Sequence, residues 1–418
     1  MTETTPTPAP RRAALTFIFI TVVLDILAMG MIIPVLPTMI VDFLDGSTAR
    51  AAEILGVFSM VWALMQFIFS PVLGALSDRF GRRPVILLSN FGLGFDYILM
   101  ALAPTLGWLF VGRVISGITA ASLSTANAYI ADVTPPDKRA AGYGMLGAAF
   151  GIGFVLGPAL GGVLGDVDPR LPFWVAAGLS LTNAMYGLFV LPESLPPERR
   201  TRFQWRRANP VGALLMLRSY GEVLGLAGVN FLYHMAHIAL TSVFVLYGKY
   251  RYGWDASDVG LTLAGVGVTS AIVQGGLVRP IIQRLGERRT LFLGLALGAI
   301  GFVIYGLAPT GAMFWLGVPI MALWGLCTPA SQGLMSRRVD PSQQGMLQGA
   351  LSSLMGVAGM FGPIVFTQTF SHFIDDQRAN PVPGAPFLFA AGLLVCAMAL
   401  AWRVTHPRQS EVAVSPAL

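Results

Sequence analysis

Apolar runs of about twenty residues recur along almost the whole of this chain. At 1.5 Å per helical residue, each is long enough to cross a hydrocarbon layer about 30 Å thick. Twelve runs are read, at 13–36, 54–76, 84–103, 107–131, 140–164, 172–191, 221–247, 257–279, 290–308, 313–335, 346–369 and 386–404. Only 11% of the 418 residues are charged and 55% are hydrophobic, whereas soluble domains carry about 25% charged residues. The predicted fold class is an all-α polytopic membrane protein with twelve transmembrane helices.

The net charge of +6 reports topology rather than a polyanionic partner. Arg50, Arg170, Lys249, Arg251 and Arg378 fall on one side of the runs and Arg113 falls inside one. Every other lysine and arginine falls on the opposite side. Basic residues accumulate on the cytoplasmic face, so both termini are placed in the cytoplasm, the membrane is read as the cell inner membrane, and no nucleic acid is called for. Residues 1–12 are predicted to be a disordered tail, and the run that follows is too long for a signal-peptide core. Cys327 and Cys396 lie in apolar runs and offer neither a disulfide framework nor a metal spacing.

The one long polar interruption, 193–217, carries Glu198, Arg199, Arg200, Arg202, Arg206 and Arg207 beside Phe203 and Trp205. That is the composition of a cytoplasmic linker lying on the headgroup layer. It divides the chain into six-helix halves at 13–192 and 218–405, followed by a tail at 406–418. The halves repeat. An offset of 205 residues (284 less 79) carries Arg79-Phe80-Gly81 onto Arg284-Leu285-Gly286 and Ala103-Pro104-Thr105 onto Ala308-Pro309-Thr310. The same offset takes Gly112 to Gly317, Pro136 to Pro341, and Gly157-Pro158 to Gly362-Pro363.

Between the second and third runs stands Gly74-Ala75-Leu76-Ser77-Asp78-Arg79-Phe80-Gly81-Arg82-Arg83-Pro84. Gly81 suits the bend of a helical hairpin and Pro84 the opening of the next helix. Asp78 can accept hydrogen bonds from a neighbouring helix N-terminus, while the arginines reach carbonyls and lipid phosphates. The stretch resembles, at every constrained position, the Gly-x-Leu-[Ala/Ser]-Asp-Arg-x-Gly-Arg-[Arg/Lys] signature of the major facilitator superfamily. The resemblance implies two parallel six-helix halves with substrate near mid-membrane, and a gate at Gly74, Asp78, Arg79, Gly81, Arg82 and Arg83. The second copy, from Gln283 to Arg289, lacks the aspartate.

Asp25, Asp96 and Arg113 lie well inside predicted spans, where a charge costs at least about 2.5–3.5 kcal/mol on insertion scales. Asp25 and Asp96 stand roughly 18 Å from the cytoplasmic start of their helices and Arg113 about 9 Å from the other face. All three thus share a level slightly beyond the midplane. One arginine facing two carboxylates leaves an acid in excess, suited to proton coupling; a static buried ion pair is the other reading. His234 and His237, at i and i+3, share a helix face. With Asn127, Asn230, Gln274 and Gln332 they supply polar groups to a substrate cavity, and nothing nearby completes a metal site. By the offset Asp25 maps onto Asn230, so the acid is kept in one half only.

In the fifth run Gly153, Gly157, Pro158, Gly161 and Gly162 strip bulk from one face, which permits close helix approach and bending. Simple packing and a hinge between halves are both open. No nucleotide loop, nucleophile elbow or metal-ligand cluster is found, so an enzyme is not predicted.

Across residues 15–370 the chain resembles the drug:proton antiporters of the superfamily, and among them the tetracycline efflux proteins. Leu24-Asp25 ahead of Met31-Ile32-Ile33-Pro34-Val35-Leu36-Pro37 is similar to their first span. Gly94-Phe95-Asp96-Tyr97 is similar to the third, Gly112-Arg113-Val114-Ile115-Ser116-Gly117-Ile118-Thr119 to the fourth, and the glycine run to the fifth. Arg251-Tyr252-Gly253-Trp254 and Gln344-Gly345-Met346-Leu347-Gln348-Gly349 resemble features of the carboxyl half. The resemblance implies coupling by Asp25, Asp96 and Arg113, a gate latched by Asp78 and Arg79, a hinge in the fifth span, and Gln274 on the substrate path. It breaks where those proteins carry a histidine in span 8 and an aspartate in span 9 that handle the proton and the magnesium-chelated drug. This chain has Ser270 and Gly298 there, with His234 and His237 as candidate substitutes. The resulting expectation is a secondary transporter exporting a small amphipathic compound in exchange for protons by alternating access. It would act as a monomer among membrane lipids, without cofactor or metal, and import of a small metabolite is the alternative.

Overall fold

Proline and glycine punctuation decides where the long apolar runs bend. The computed structural model describes residues 9–120, 122–134, 139–200, 221–339, 344–375 and 379–405. Of the tail predicted to be disordered at 1–12, residues 1–8 lie outside the described residues while Ala9–Arg12 already belong to the first helix. The tail at 406–418, residues 201–217 of the predicted linker, Pro136, Pro341 and Arg378 also lie outside the described residues.

The helices in chain order are α1 (Ala9–Ile32), α2 (Leu36–Asp42), α3 (Thr48–Phe80), α4 (Arg82–Leu102), α5 (Leu106–Thr119), α6 (Ser122–Val133), α7 (Arg139–Val167) and α8 (Leu171–Val190). They continue as α9 (Gly221–Tyr252), α10 (Ala256–Ile272), α11 (Val278–Leu307), α12 (Gly311–Leu323), α13 (Cys327–Ser336), α14 (Gln344–Phe373) and α15 (Ala385–Thr405). Among the described residues no strand occurs.

Three predicted spans are interrupted. The first stops at Ile32, Pro37 lies in the first turn of α2, and the span resumes to Asp42, because a proline lacks the amide that the preceding turn would need. The fourth is α5 and α6, parted at Ala120 (ψ 35°). The tenth is α12 and α13, joined by a tight turn at Trp324–Leu326. Among the described residues ten stretches are long and apolar enough to cross a membrane, one of which, Ala256–Leu307, is a 52-residue run holding two predicted spans. A wide π turn at Val273–Leu277 and a reversal at Gly286 (φ 75°) divide that run.

The sequence repeat is also a backbone repeat. Gly81 and Gly286, one offset apart, both have positive φ. Ala103 and Ala308 end their helices with φ/ψ of −56°/118° and −58°/118°, and Thr105 and Thr310 both open the next helix from an extended conformation. Pro158 and Pro363 both sit inside long helices.

Contacts group the chain into two compact units. One holds residues up to Asn209 with Ser242–Val268 and Gly359–Pro383; the other holds Pro210–Thr241, Thr269–Ala358 and Gly384–Leu418. Two segments of the second repeat, within Ser242–Val268 and Gly359–Pro383, thus pack with the first repeat. In the first unit a core of Phe17, Ile18, Val22, Ile26, Tyr129, Ile130 and Leu146 joins α1, α6 and α7. Large apolar side chains such as Leu88, Phe95, Trp108 and Phe189 stay exposed, as a lipid-facing surface requires.

Candidate functional site

Asp25 points from α1 toward α8. There the amide of Asn183, completely buried, donates to Asp25 Oδ1 at 2.8 Å and to the Thr21 carbonyl at 3.0 Å. With its amide nitrogen held by both acceptors, Asn183 presents a donor to the carboxylate. The sequence analysis did not single out Asn183; the available signal was a polar side chain in the middle of an otherwise apolar run.

Asp96, 1% exposed, lies on α4 facing α5. A Cβ at Gly112 would stand 2.8 Å from its Oδ1, so the glycine makes room for the carboxylate. Arg113, the next residue of α5, turns its guanidinium over the Trp62 ring of α3, 5.4 Å from the centroid. An aromatic face is a favourable seat for a desolvated guanidinium. Among the described residues Asp96 and Arg113 form no ion pair. Tyr97 lies within electrostatic reach of Asp25, Asp96 and Arg113 together. The three predicted charges thus share a neighbourhood around Tyr97 rather than one direct ion pair.

The hairpin between α3 and α4 turns at Gly81, φ 109°. Arg82 is buried and uses two nitrogens of its guanidinium: Nη1 donates to Ser77 Oγ at 2.6 Å and to Asp78 Oδ1 at 2.5 Å, and Nε donates to Asp132 Oδ2 at 3.0 Å. The amides opening α4 go to Glu193, whose Oε1 accepts from Arg82 N at 2.8 Å and whose Oε2 accepts from Arg83 N at 3.3 Å. Ser194 Oγ donates to Asp132 at 3.1 Å, and the Arg83 guanidinium donates to the Leu188 carbonyl. Asp78, expected to accept from a helix N-terminus, is paired here with Arg82, while Arg79 is exposed over Phe80. Gly74 sits one helical turn before Asp78, its carbonyl accepting from Ser77 Oγ at 2.7 Å. Asp132 and Glu193 belong to this site but stand 50 and 111 residues from Arg82, too far for a local motif to reveal.

The glycines of α7 divide their work. A Cβ at Gly153 would stand 2.8 Å from the Ile26 side chain, and one at Gly157 would stand 2.8 Å from the Gly30 backbone. Gly161 packs on Met31, so these three seat α7 on α1. Gly162 instead meets the Ala256 carbonyl, and the Pro158 carbonyl meets Gly260 of α10.

In the second unit Asn230 of α9 donates to Ser331 Oγ at 3.2 Å. His234 Nδ1 lies 2.8 Å from the Asn230 carbonyl, which can only accept, so that nitrogen carries the proton. His237 is exposed and its ring lies 5.6 Å from Trp324, which also packs against Tyr233 at a tilt, with centroids 4.7 Å apart. Gln274, exposed on the π turn, lies against Gly325, and Gln332 is exposed on α13. Asn127 is exposed on α6, in the first unit. No group of three or more His, Cys, Asp or Glu that could hold a metal occurs among the described residues.

The model of the Major Facilitator Superfamily matches residues 18–363 and 277–416. The chain belongs to the major facilitator superfamily. Within it, the class C tetracycline resistance protein of Escherichia coli is 38% identical over 391 residues, 93% of this chain and 96% of that protein. The class D protein of Salmonella ordonez is 34% identical over 384 residues, 92% and 95% of the two chains. Of solved structures, the human organic anion transporter MFSD10 (TETRAN) superposes with a TM-score of 0.69 at 24% identity, covering 94% of this chain and 99% of that one. The nucleoside transporter NupG does so with a TM-score of 0.76 at 13% identity, covering 94% and 100%. These two likenesses establish the fold, a major facilitator fold. The chain is an integral membrane transporter for a small-molecule substrate, not an enzyme.

Proposed function

We propose that this protein exports a small amphipathic compound, tetracycline-like or another drug, across the cell inner membrane in exchange for protons. It does so by alternating access, as a monomer with both termini in the cytoplasm and with the two sequence repeats as the rocking halves. The observation carrying this reading is the pairing of a buried carboxylate, Asp25, with Asn183 inside a membrane-spanning helix, in a chain 38% identical to a tetracycline resistance protein.

A carboxylate held in the membrane can alternate between charged and neutral forms as it meets each side in turn. Asp96, Arg113 and Tyr97 adjoin it. Arg82 with Asp78 and Asp132 would hold the cytoplasmic hairpin as a gate, and the glycine seats of α7 would let helices slide without opening a leak. Asn230, His234, His237, Gln274 and Gln332 would contribute to the substrate path from the second repeat, and Asn127 from the first.

Everted membrane vesicles with an acidified lumen test the direction. Vesicles containing the protein should accumulate tetracycline or one of a panel of amphipathic dyes, and collapse of the proton gradient should release it. Uptake of the same compounds by intact cells, with none into everted vesicles, would instead establish import.

A further inference from the structure

The N-terminus of α10 carries one more carboxylate than a helix of its kind needs. Its own cap is complete: Asp255 Oδ1 accepts from Asp258 N at 2.8 Å, and Asp258 Oδ2 accepts from Asp255 N at 3.4 Å, a reciprocal capping box. The first two amides nevertheless go to Asp166 at the end of α7. Oδ1 of Asp166 accepts from Ala256 N at 3.1 Å and Oδ2 accepts from Ser257 N at 3.2 Å. Three carboxylates around one helix end repel one another, so the third is explained by what it joins rather than by what it caps. The approach is prepared by small residues, since Gly162 meets the Ala256 carbonyl and Gly260 meets the Pro158 carbonyl.

Two further contacts in the same unit follow the same pattern. Glu53 Oε1 accepts from Ser371 Oγ at 2.9 Å, and Asp42 lies 3.8 Å from Lys249 Nζ. In each case the acid comes from the first repeat and the donor from the second. Asp166 is exposed, so water can replace its partners, and such bonds are individually weak enough to break within a transport cycle.

We propose that Asp166 is a positioning residue of the transport cycle, gripping the N-terminus of α10 to close the outer end of the protein and releasing it when that end opens. The inference rests on the alternating-access reading above. Two readouts test it in a protein with Cys327→Ala and Cys396→Ser. With Ser257→Cys added, labelling by a membrane-impermeant maleimide should speed up about fivefold on Asp166→Ala and less on Asp166→Asn. An unchanged labelling rate in a folded Asp166→Ala protein overturns the proposal. In the second, Asp166→Cys with Ser257→Cys is joined by a short cleavable bis-thiol reagent; transport should stop when joined and return on cleavage. Transport that continues at the unjoined rate also overturns it. If the unjoined protein moves no compound, the exporter reading fails by itself and the labelling rates still decide the role of Asp166.

Discussion

Trp324 occupies the space that any side chain on residue 298 would need: a Cβ built on Gly298 stands 2.5 Å from Trp324 Cδ1 and 2.7 Å from Cγ. Trp324 is 3% exposed and is pinned by Tyr233, His237 and Phe302. The missing carboxylate at 298 is therefore built into the packing of α11 against the Trp324–Leu326 turn.

It follows that Gly298→Asp alone destabilises the protein, by about 1–3 kcal/mol as overpacking does, seen as a lower thermal unfolding midpoint in detergent. Adding Trp324→Ala should relieve that clash, so the loss in the double variant is smaller than the sum of the two single losses.

Replacing Asn183 by leucine removes the amide donor from Asp25 and leaves a buried carboxylate oxygen without it. Unsatisfied buried groups cost about 1–3 kcal/mol. Thermal unfolding should show that loss, while Asn183→Gln, which keeps the amide on a longer arm, should fall between leucine and parent. Equal stability of all three would show that the hydrogen bond carries no weight.

Much of this was legible beforehand. Helix makes up most of each of the twelve apolar runs, although the first, fourth and tenth are interrupted, and the 205-residue offset reappears in the φ angles of Gly81 and Gly286. What the sequence hid was long-range polar pairing. Asn183, Asp132, Glu193 and Asp166 are single polar residues at or between apolar runs, and their partners lie 158, 50, 111 and 90 residues away. The break at 120 escaped for a related reason, since neither Pro nor paired Gly marks it. The turn at 324–326, by contrast, had a signal in Pro329, which lies in the first turn of α13 and offers no amide to the turn before it. Arg113, read as facing the two carboxylates Asp25 and Asp96, lies over Trp62, since an aromatic face competes for a guanidinium and hydropathy does not register it.

Gly81→Ala should damage the hairpin in two ways. A left-handed backbone costs an L residue roughly 1–2 kcal/mol, and the new methyl would run into the Glu193 carboxylate. Trimming that carboxylate with Glu193→Ala cures only the second fault. In unfolding experiments Gly81→Ala with Glu193→Ala should therefore remain less stable than Glu193→Ala alone.

Arg82→Lys keeps the charge but cannot serve Ser77, Asp78 and Asp132 with the planar fork that now reaches all three. Transport rate is the readout, with Arg79→Lys as the comparison because Arg79 is exposed. The expected order is a marked loss for Arg82→Lys and little change for Arg79→Lys; the reverse order would remove Arg82 from the centre of the gate.

The central claim, that transport is coupled to proton movement through Asp25, is tested most directly by proton flux in proteoliposomes under an imposed pH gradient. Tetracycline and a panel of amphipathic drugs are added to the parent and to Asp25→Asn. The account predicts drug-induced proton release by the parent and none by the variant. Compound movement by the parent without proton flux, or unchanged flux in Asp25→Asn, would contradict it.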